Sequence, residues 1–205
     1  MPQEHYFSES PDSDAKSHEI SFEVAGIPFS ARSEAGTFSV QKLDKGTQVL
    51  LRSHEYFPTR GNVLDIGCGW GPISLSIAKL QPDTTVWALD VNQRSLRLTG
   101  ENATRAALSN VRPVTAEQIP KELRFSGIWS NPPIRVGKAI LHELMKTWIP
   151  RLEEGGSAFL VVQKQLGAES FEKWLATEFP MMTVTRSDQD KGYRVIEVRN
   201  AATIH

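Results

Sequence analysis

The chain has 205 residues, 40% hydrophobic and 23% charged, which suits one soluble domain with a real core. A net charge of −1 excludes a chain that gathers nucleic acid through its overall charge, so any polyanion site must be a local patch. The single cysteine, Cys68, excludes an internal disulfide and a thiolate cluster, and no metal site is expected.

The start, MPQEHYFSES, carries acids where a signal peptide needs basic and then apolar residues. No apolar run approaches a membrane span, so the expected address is cytoplasmic. Residues 1–18 are polar and acid-rich and read as a flexible lead-in, leaving 19–205 as a single domain. EISFEV and IPFSARS, split by Ala25-Gly26, predict a β-hairpin. Asp44 or Thr47 then caps a helix whose Val49, Leu50 and Leu51 face inward.

Strands and helices alternate from there. Strands are expected at 62–67, 85–90, 110–114, 125–130 and 157–163. Helices are expected at 72–80, with Pro72 in the first turn, and at 92–108, where Gly100 weakens the pattern. Two more are expected at 139–152, interrupted near Pro150, and at 168–179. The end, from Met181 to Asn200, reads as two strands about a polar turn at Ser187 to Gly192. The result is an α/β fold, Rossmann-like, with a mostly parallel sheet of seven strands covered on both faces and a terminal antiparallel hairpin.

In LDIGCGWGP, Gly67, Gly69 and Gly71 lie at a strand-to-helix junction, where glycine permits positive φ and close approach of a ligand. The dinucleotide fingerprint needs a further glycine where Pro72 stands, which places an NAD-dependent dehydrogenase last among the readings. Asp65 beside the turn would repel a pyrophosphate and suits a ligand with an ammonium group. Asp90, ending the next strand, can accept two ribose hydroxyls or cap the helix that follows. Glu117 is a candidate for an adenine pocket rim or a solvated loop acid. With Asn131, these acids fall in order at the carboxyl edge of the sheet, where open parallel sheets bind ligands.

LDIGCGWGP and ALDVN resemble the first and second motifs of class I S-adenosylmethionine-dependent methyltransferases. The resemblance implies that S-adenosylmethionine is the cofactor. It would lie along Gly67, Cys68, Gly69 and Gly71, with Asp90 on the ribose and Asp65, Val91, Glu117 and Asn131 completing its site. Asn131, Pro132, Pro133 and Ile134 stand where amino-methyltransferases carry Asn or Asp, Pro-Pro and an aromatic residue. An exocyclic amine conjugated to a purine is a poor nucleophile. If the Asn131 oxygen and the Pro132 carbonyl accept its N–H bonds, its lone pair is aimed at a methyl donor, and rigid prolines hold that carbonyl in place.

GTFSVQKLDKGTQVLL, SNPPIRVGK and VVQKQLGAES together resemble the methyltransferase small domain group, the catalytic module of the ribosomal RNA guanine-N2 methyltransferases, also found in a stand-alone form. This implies an N-methyltransferase of guanine N2 in ribosomal RNA, acting on RNA or a ribosomal subunit. Adenine N6 and a protein glutamine are alternative acceptors, and a non-catalytic RNA- or partner-binding protein is a further one. The resemblance also implies that longer members carry an N-terminal domain thought to help bind RNA, and this chain is expected to lack it. Ile134 supplies no ring to stack on a base, which leaves Phe38 as a candidate, while Trp129 reads as strand core. Arg135, Lys138 and Lys164 are expected at the mouth, where Lys42, Lys45 and Lys191 can join them on phosphates. His54 and His142 receive no role.

Overall fold

The structure is a computed structural model that describes residues 17–133 and 137–201. β1 (Ser17–Val24) and β2 (Ile27–Glu34) form the expected antiparallel hairpin. Its two-residue turn has both Ala25 (φ 54°) and Gly26 (φ 75°) in the left-handed region, the twist that matches flanking strands. The remaining strands are β3 (Gly61–Ile66), β4 (Thr84–Leu89), β5 (Val111–Val114), β6 (Phe125–Ser130), β7 (Leu152–Gln163), β8 (Thr183–Asp190) and β9 (Tyr193–Arg199). They form one seven-stranded sheet in the order β5-β4-β3-β6-β7-β9-β8, with β9 antiparallel to both neighbours.

Among the described residues five α-helices accompany it: α1 (Lys45–Leu51), α2 (Pro72–Leu80), α3 (Gln93–Arg105), α4 (Lys138–Trp148) and α5 (Ala168–Glu178). The strand period of two sorts the core onto two faces. Val63, Val86, Trp129 and Phe159 pack with the hairpin, α1, α2 and α3. Leu64, Trp87, Ile128 and Leu160 pack with α4 and α5. Trp129 is core as expected: it is fully buried and stacked on Phe159 at 4.5 Å.

Several boundaries differ from the sequence reading: α3 ends at Arg105 rather than 108, and three others are informative. The helix expected over 139–152 ends at Trp148, and Pro150 instead lies in a short 3₁₀ turn. β7 starts at Leu152 rather than 157, because Leu152 already pairs with Phe125, and the irregular stretch that follows is tied to Asn200 by backbone hydrogen bonds at Gly155 (2.7 Å) and Gly156 (2.9 Å). A Cβ on Gly156 would come within 3.0 Å of two carbonyl oxygens, whereas Gly155 is needed for its positive φ of 81°, so the two glycines shape an irregularity in the strand. The last turn is only Lys191-Gly192, both with positive φ.

Candidate functional site

The first half of the site is the turn between β3 and α2. Asp65 lies on the same face of β3 as Val63 and so points toward α2. Its Oδ2 accepts hydrogen bonds from the Ser74 backbone N–H (3.0 Å) and hydroxyl (2.6 Å), while Oδ1 is buried with no partner. Burial, helped by the charge of Asp90, pushes this carboxyl up to about 7 against the pull of the Ser74 bonds. The turn then runs with positive φ at Gly67 (75°), Gly69 (59°) and Gly71 (93°). A Cβ on Gly67 would meet nothing within 4 Å, so the backbone there borders open space; one on Gly71 would strike Thr99 at 3.0 Å. Pro72 opens α2 as expected.

Asp90 follows β4 and is 5% exposed. Its Oδ2 accepts the Gly69 N–H and its Oδ1 the Asn92 N–H, each at 2.9 Å. The cap of α3 is therefore not Asp90 but Asn92, whose side chain accepts from the N–H groups of Arg94 and Ser95. Val91 is 57% exposed, an apolar side chain on the open edge beside Asp90. The Cys68 thiol points inward beside Thr99, and burial pushes its pKa well up, so only its backbone belongs to the turn. Glu117 stands exposed after β5, and hydrogen bonds from its own backbone and Thr115 hold its carboxyl below the usual range.

The second half lies at the end of β6. Ser130 donates its hydroxyl to the Ile66 carbonyl at 2.8 Å, which ties this strand end to the glycine turn. Asn131 is half-buried, and its Nδ2 donates to Asp44 Oδ2 (2.8 Å) and Thr47 Oγ1 (3.1 Å) on α1. Pro132 is buried behind it. Between the two halves runs the segment 35–43, held by hydrogen bonds from Asn92 to the Gly36 carbonyl (3.0 Å) and from Arg94 to the Ala35 carbonyl (2.5 Å). It carries Phe38, 40% exposed. Lys138, Lys164, Lys42, Lys45 and Lys191 are all exposed. Ile134 and Arg135 lie outside the described residues. Among the described residues no group of acids, histidines or cysteines could hold a metal ion, and no helix is long and apolar enough to cross a membrane.

The sequence reading missed Ser74, Thr99 and Asn92, and saw Asp44 and Thr47 only as helix caps. The available signal was a hydroxyl or amide inside an otherwise buried helical face, as at Ser74 and Thr99.

A family model for the methyltransferase small domain matches residues 29–197. The chain belongs to this family. It is an S-adenosylmethionine-dependent methyltransferase, as the resemblance carried by LDIGCGWGP and ALDVN implied. The methyltransferase is 34% identical over 199 residues to uncharacterized protein YbxB of Bacillus subtilis, covering 96% of this chain and 98% of that one. It is 33% identical to ribosomal RNA small subunit methyltransferase C of Shewanella halifaxensis, over 73% of this chain and 44% of that protein. It thus spans less than half the length of that relative. Among solved structures, the Thermus thermophilus 16S rRNA N2 G1207 methyltransferase, in complex with AdoMet and guanosine, superposes with a TM-score of 0.76. It is 24% identical, over 90% of this chain and 50% of that one, which shows a shared fold.

The residues present fit the cofactor. Asp65 keeps one buried oxygen unpartnered, and the Gly67 backbone faces open space flanked by Asp90 and the exposed Val91.

Proposed function

We propose that this methyltransferase acts on the exocyclic N2 of guanine in ribosomal RNA. The observation that carries the reading is the hydrogen bonding of Asn131: both N–H groups of its amide are taken by α1, which leaves Oδ1 as an acceptor next to the rigid Pro132-Pro133 pair. On this reading Oδ1 and the Pro132 carbonyl accept the two N–H bonds of the acceptor amine and pull its lone pair out of conjugation. The protein's contribution is orientation and hydrogen bonding, with no strong base in the site. Asp65, the Gly67–Gly71 turn, Asp90 and Val91 would hold S-adenosylmethionine, and Glu117 would border its adenine. That cofactor, when bound, supplies an electrophilic methyl group.

The rRNA part of the reading draws on the relatives named ribosomal RNA small subunit methyltransferase C. Phe38 on the bridging segment would offer a ring to the base, and the exposed Lys138, Lys164 and Lys191 would meet phosphates. Nucleoside mass spectrometry of rRNA from a deletion strain tests it: N2-methylguanosine should fall at one position and return with the intact gene. A lost N6-methyladenosine, or a methylated protein with unchanged rRNA, would overturn it.

A further inference from the structure

Asn131 is held by residues 84 and 87 positions earlier in the chain, and the chemistry of those residues decides which way its amide faces. An amide side chain has two donors on its nitrogen and an acceptor oxygen on the other side. Its flip follows from its partners. Here Nδ2 meets a carboxylate oxygen at 2.8 Å and a hydroxyl at 3.1 Å. A carboxylate only accepts, so the opposite flip would set two oxygens against each other.

The Asp44 carboxylate is itself fixed. Its Oδ2 accepts the Thr47 backbone N–H at 3.1 Å as the N-cap of α1. On the remaining side, a Cβ on Gly46 would come within 2.9 Å of both this oxygen and the Tyr193 ring, so the carboxylate sits in a slot that admits only glycine. The residue that follows β6 is thus tied to the cap and the first turn of α1.

We propose that Asp44 is a positioning residue which, with Thr47, locks the Asn131 amide in the flip that presents Oδ1 to the acceptor amine. This rests on the role given to Asn131 above. The competing role for Asp44 is a helix cap alone, and serine caps a helix about as well. Asp44→Ser therefore keeps the cap while withdrawing the carboxylate from Asn131.

The test uses the full chain. The Asn131 side-chain NH₂ pair is assigned by ¹⁵N NMR from its loss in Asn131→Ala. In Asp44→Ser that pair should shift and exchange with water at least about tenfold faster, in line with the loss of a charge-assisted bond. Binding of S-adenosylhomocysteine should stay as in the parent. Thr47→Val should shift the pair as well, and Thr47→Ser should restore it. With rRNA from a deletion strain as acceptor, kcat should fall roughly 10- to 100-fold in Asp44→Ser, and the same change should add nothing in an Asn131→Ala background.

An Asn131 amide that is unmoved in Asp44→Ser overturns the inference, as do losses from the two substitutions that multiply. Full turnover in Asn131→Ala overturns instead the amine-orienting reading, and the amide resonance still reports whether Asp44 holds Asn131.

Discussion

The carboxylate of Asp90 accepts the backbone N–H of Gly69 at 2.9 Å, so the end of β4 braces the glycine turn that follows β3. One side chain thus fixes both the glycine turn and the backbone that leads into α3. Asp90→Ala should loosen the turn and remove the acidic group at once. Loss of a charge-assisted hydrogen bond costs about 1.5–3 kcal/mol, so S-adenosylhomocysteine should bind roughly 10- to 100-fold more weakly by calorimetry. Parent-like affinity in this variant would remove Asp90 from the site.

Asp65 should make the stability of the methyltransferase depend on pH. Its folded pKa of about 7 lies above the roughly 3.9 of an unfolded aspartate, because burial disfavours the charge. A raised folded pKa contributes stability that is complete below about pH 4 and lost as pH rises toward 7, about 4 kcal/mol for a pKa raised from about 4 to about 7. Asp65→Asn should flatten this slope in denaturant unfolding between those limits. A ligand ammonium favours the ionised form, so binding below pH 7 should release a proton. Affinity should then weaken by up to about tenfold per pH unit on acidification, and not in Asp65→Asn. Calorimetry in buffers of different ionisation enthalpy reads the proton directly; a zero count at pH 6 would refute the pairing.

The architecture was legible because hydrophobic period and punctuation agree along the central chain. α2 falls at Pro72–Leu80 and β6 at Phe125–Ser130, the boundaries expected from Pro72 and from the Asn131-Pro132-Pro133 stop. The start of β7 was hidden because Glu153 to Gly156 carry the composition of a loop and form an irregularity between two strand pairings, Leu152 with Phe125 and Ser157 with Gly127. Of the proposed site residues, Asp65, Asp90 and Asn131 could be placed at the carboxyl edge of the sheet because each stands at a strand end. The groups that hold them could not. Ser74, Asn92, Asp44 and Thr47 act through contacts that only folding creates, and a capping aspartate looks the same whether or not it also holds an amide across the site.

Gly67 and Gly71 should respond differently to the same substitution. Both have positive φ, so alanine strains either one by about 1–2 kcal/mol. At Gly71 the new methyl also meets Thr99 at 3.0 Å, whereas at Gly67 it enters open space. Gly71→Ala should therefore show the larger drop in Tm. Gly67→Ala should show the larger loss of S-adenosylhomocysteine affinity, at least about tenfold, because its methyl occupies the space left for a ligand. The reverse ranking would mean that the open space beside Gly67 is not where the cofactor lies.

Asn92 joins helix α3 to the segment that spans the site. Its side chain accepts from the N–H groups of Arg94 and Ser95 as the helix cap, and donates to the Gly36 carbonyl at 3.0 Å. Asn92→Ala loses both functions, and the cap alone is worth about 1 kcal/mol. Asn92→Ser keeps a capping oxygen but has no amide to reach Gly36. Its Tm should stay near that of the parent, while hydrogen exchange over 35–43 quickens. If Phe38 on this segment meets the base, KM for RNA should rise a few-fold with kcat little changed, since looser ordering of a binding loop is charged to association. Faster exchange with an unchanged KM would place Phe38 outside the acceptor site, and unchanged exchange would show that Arg94 and Ser33, bonded to the Ala35 and Val40 carbonyls, hold the segment without Asn92.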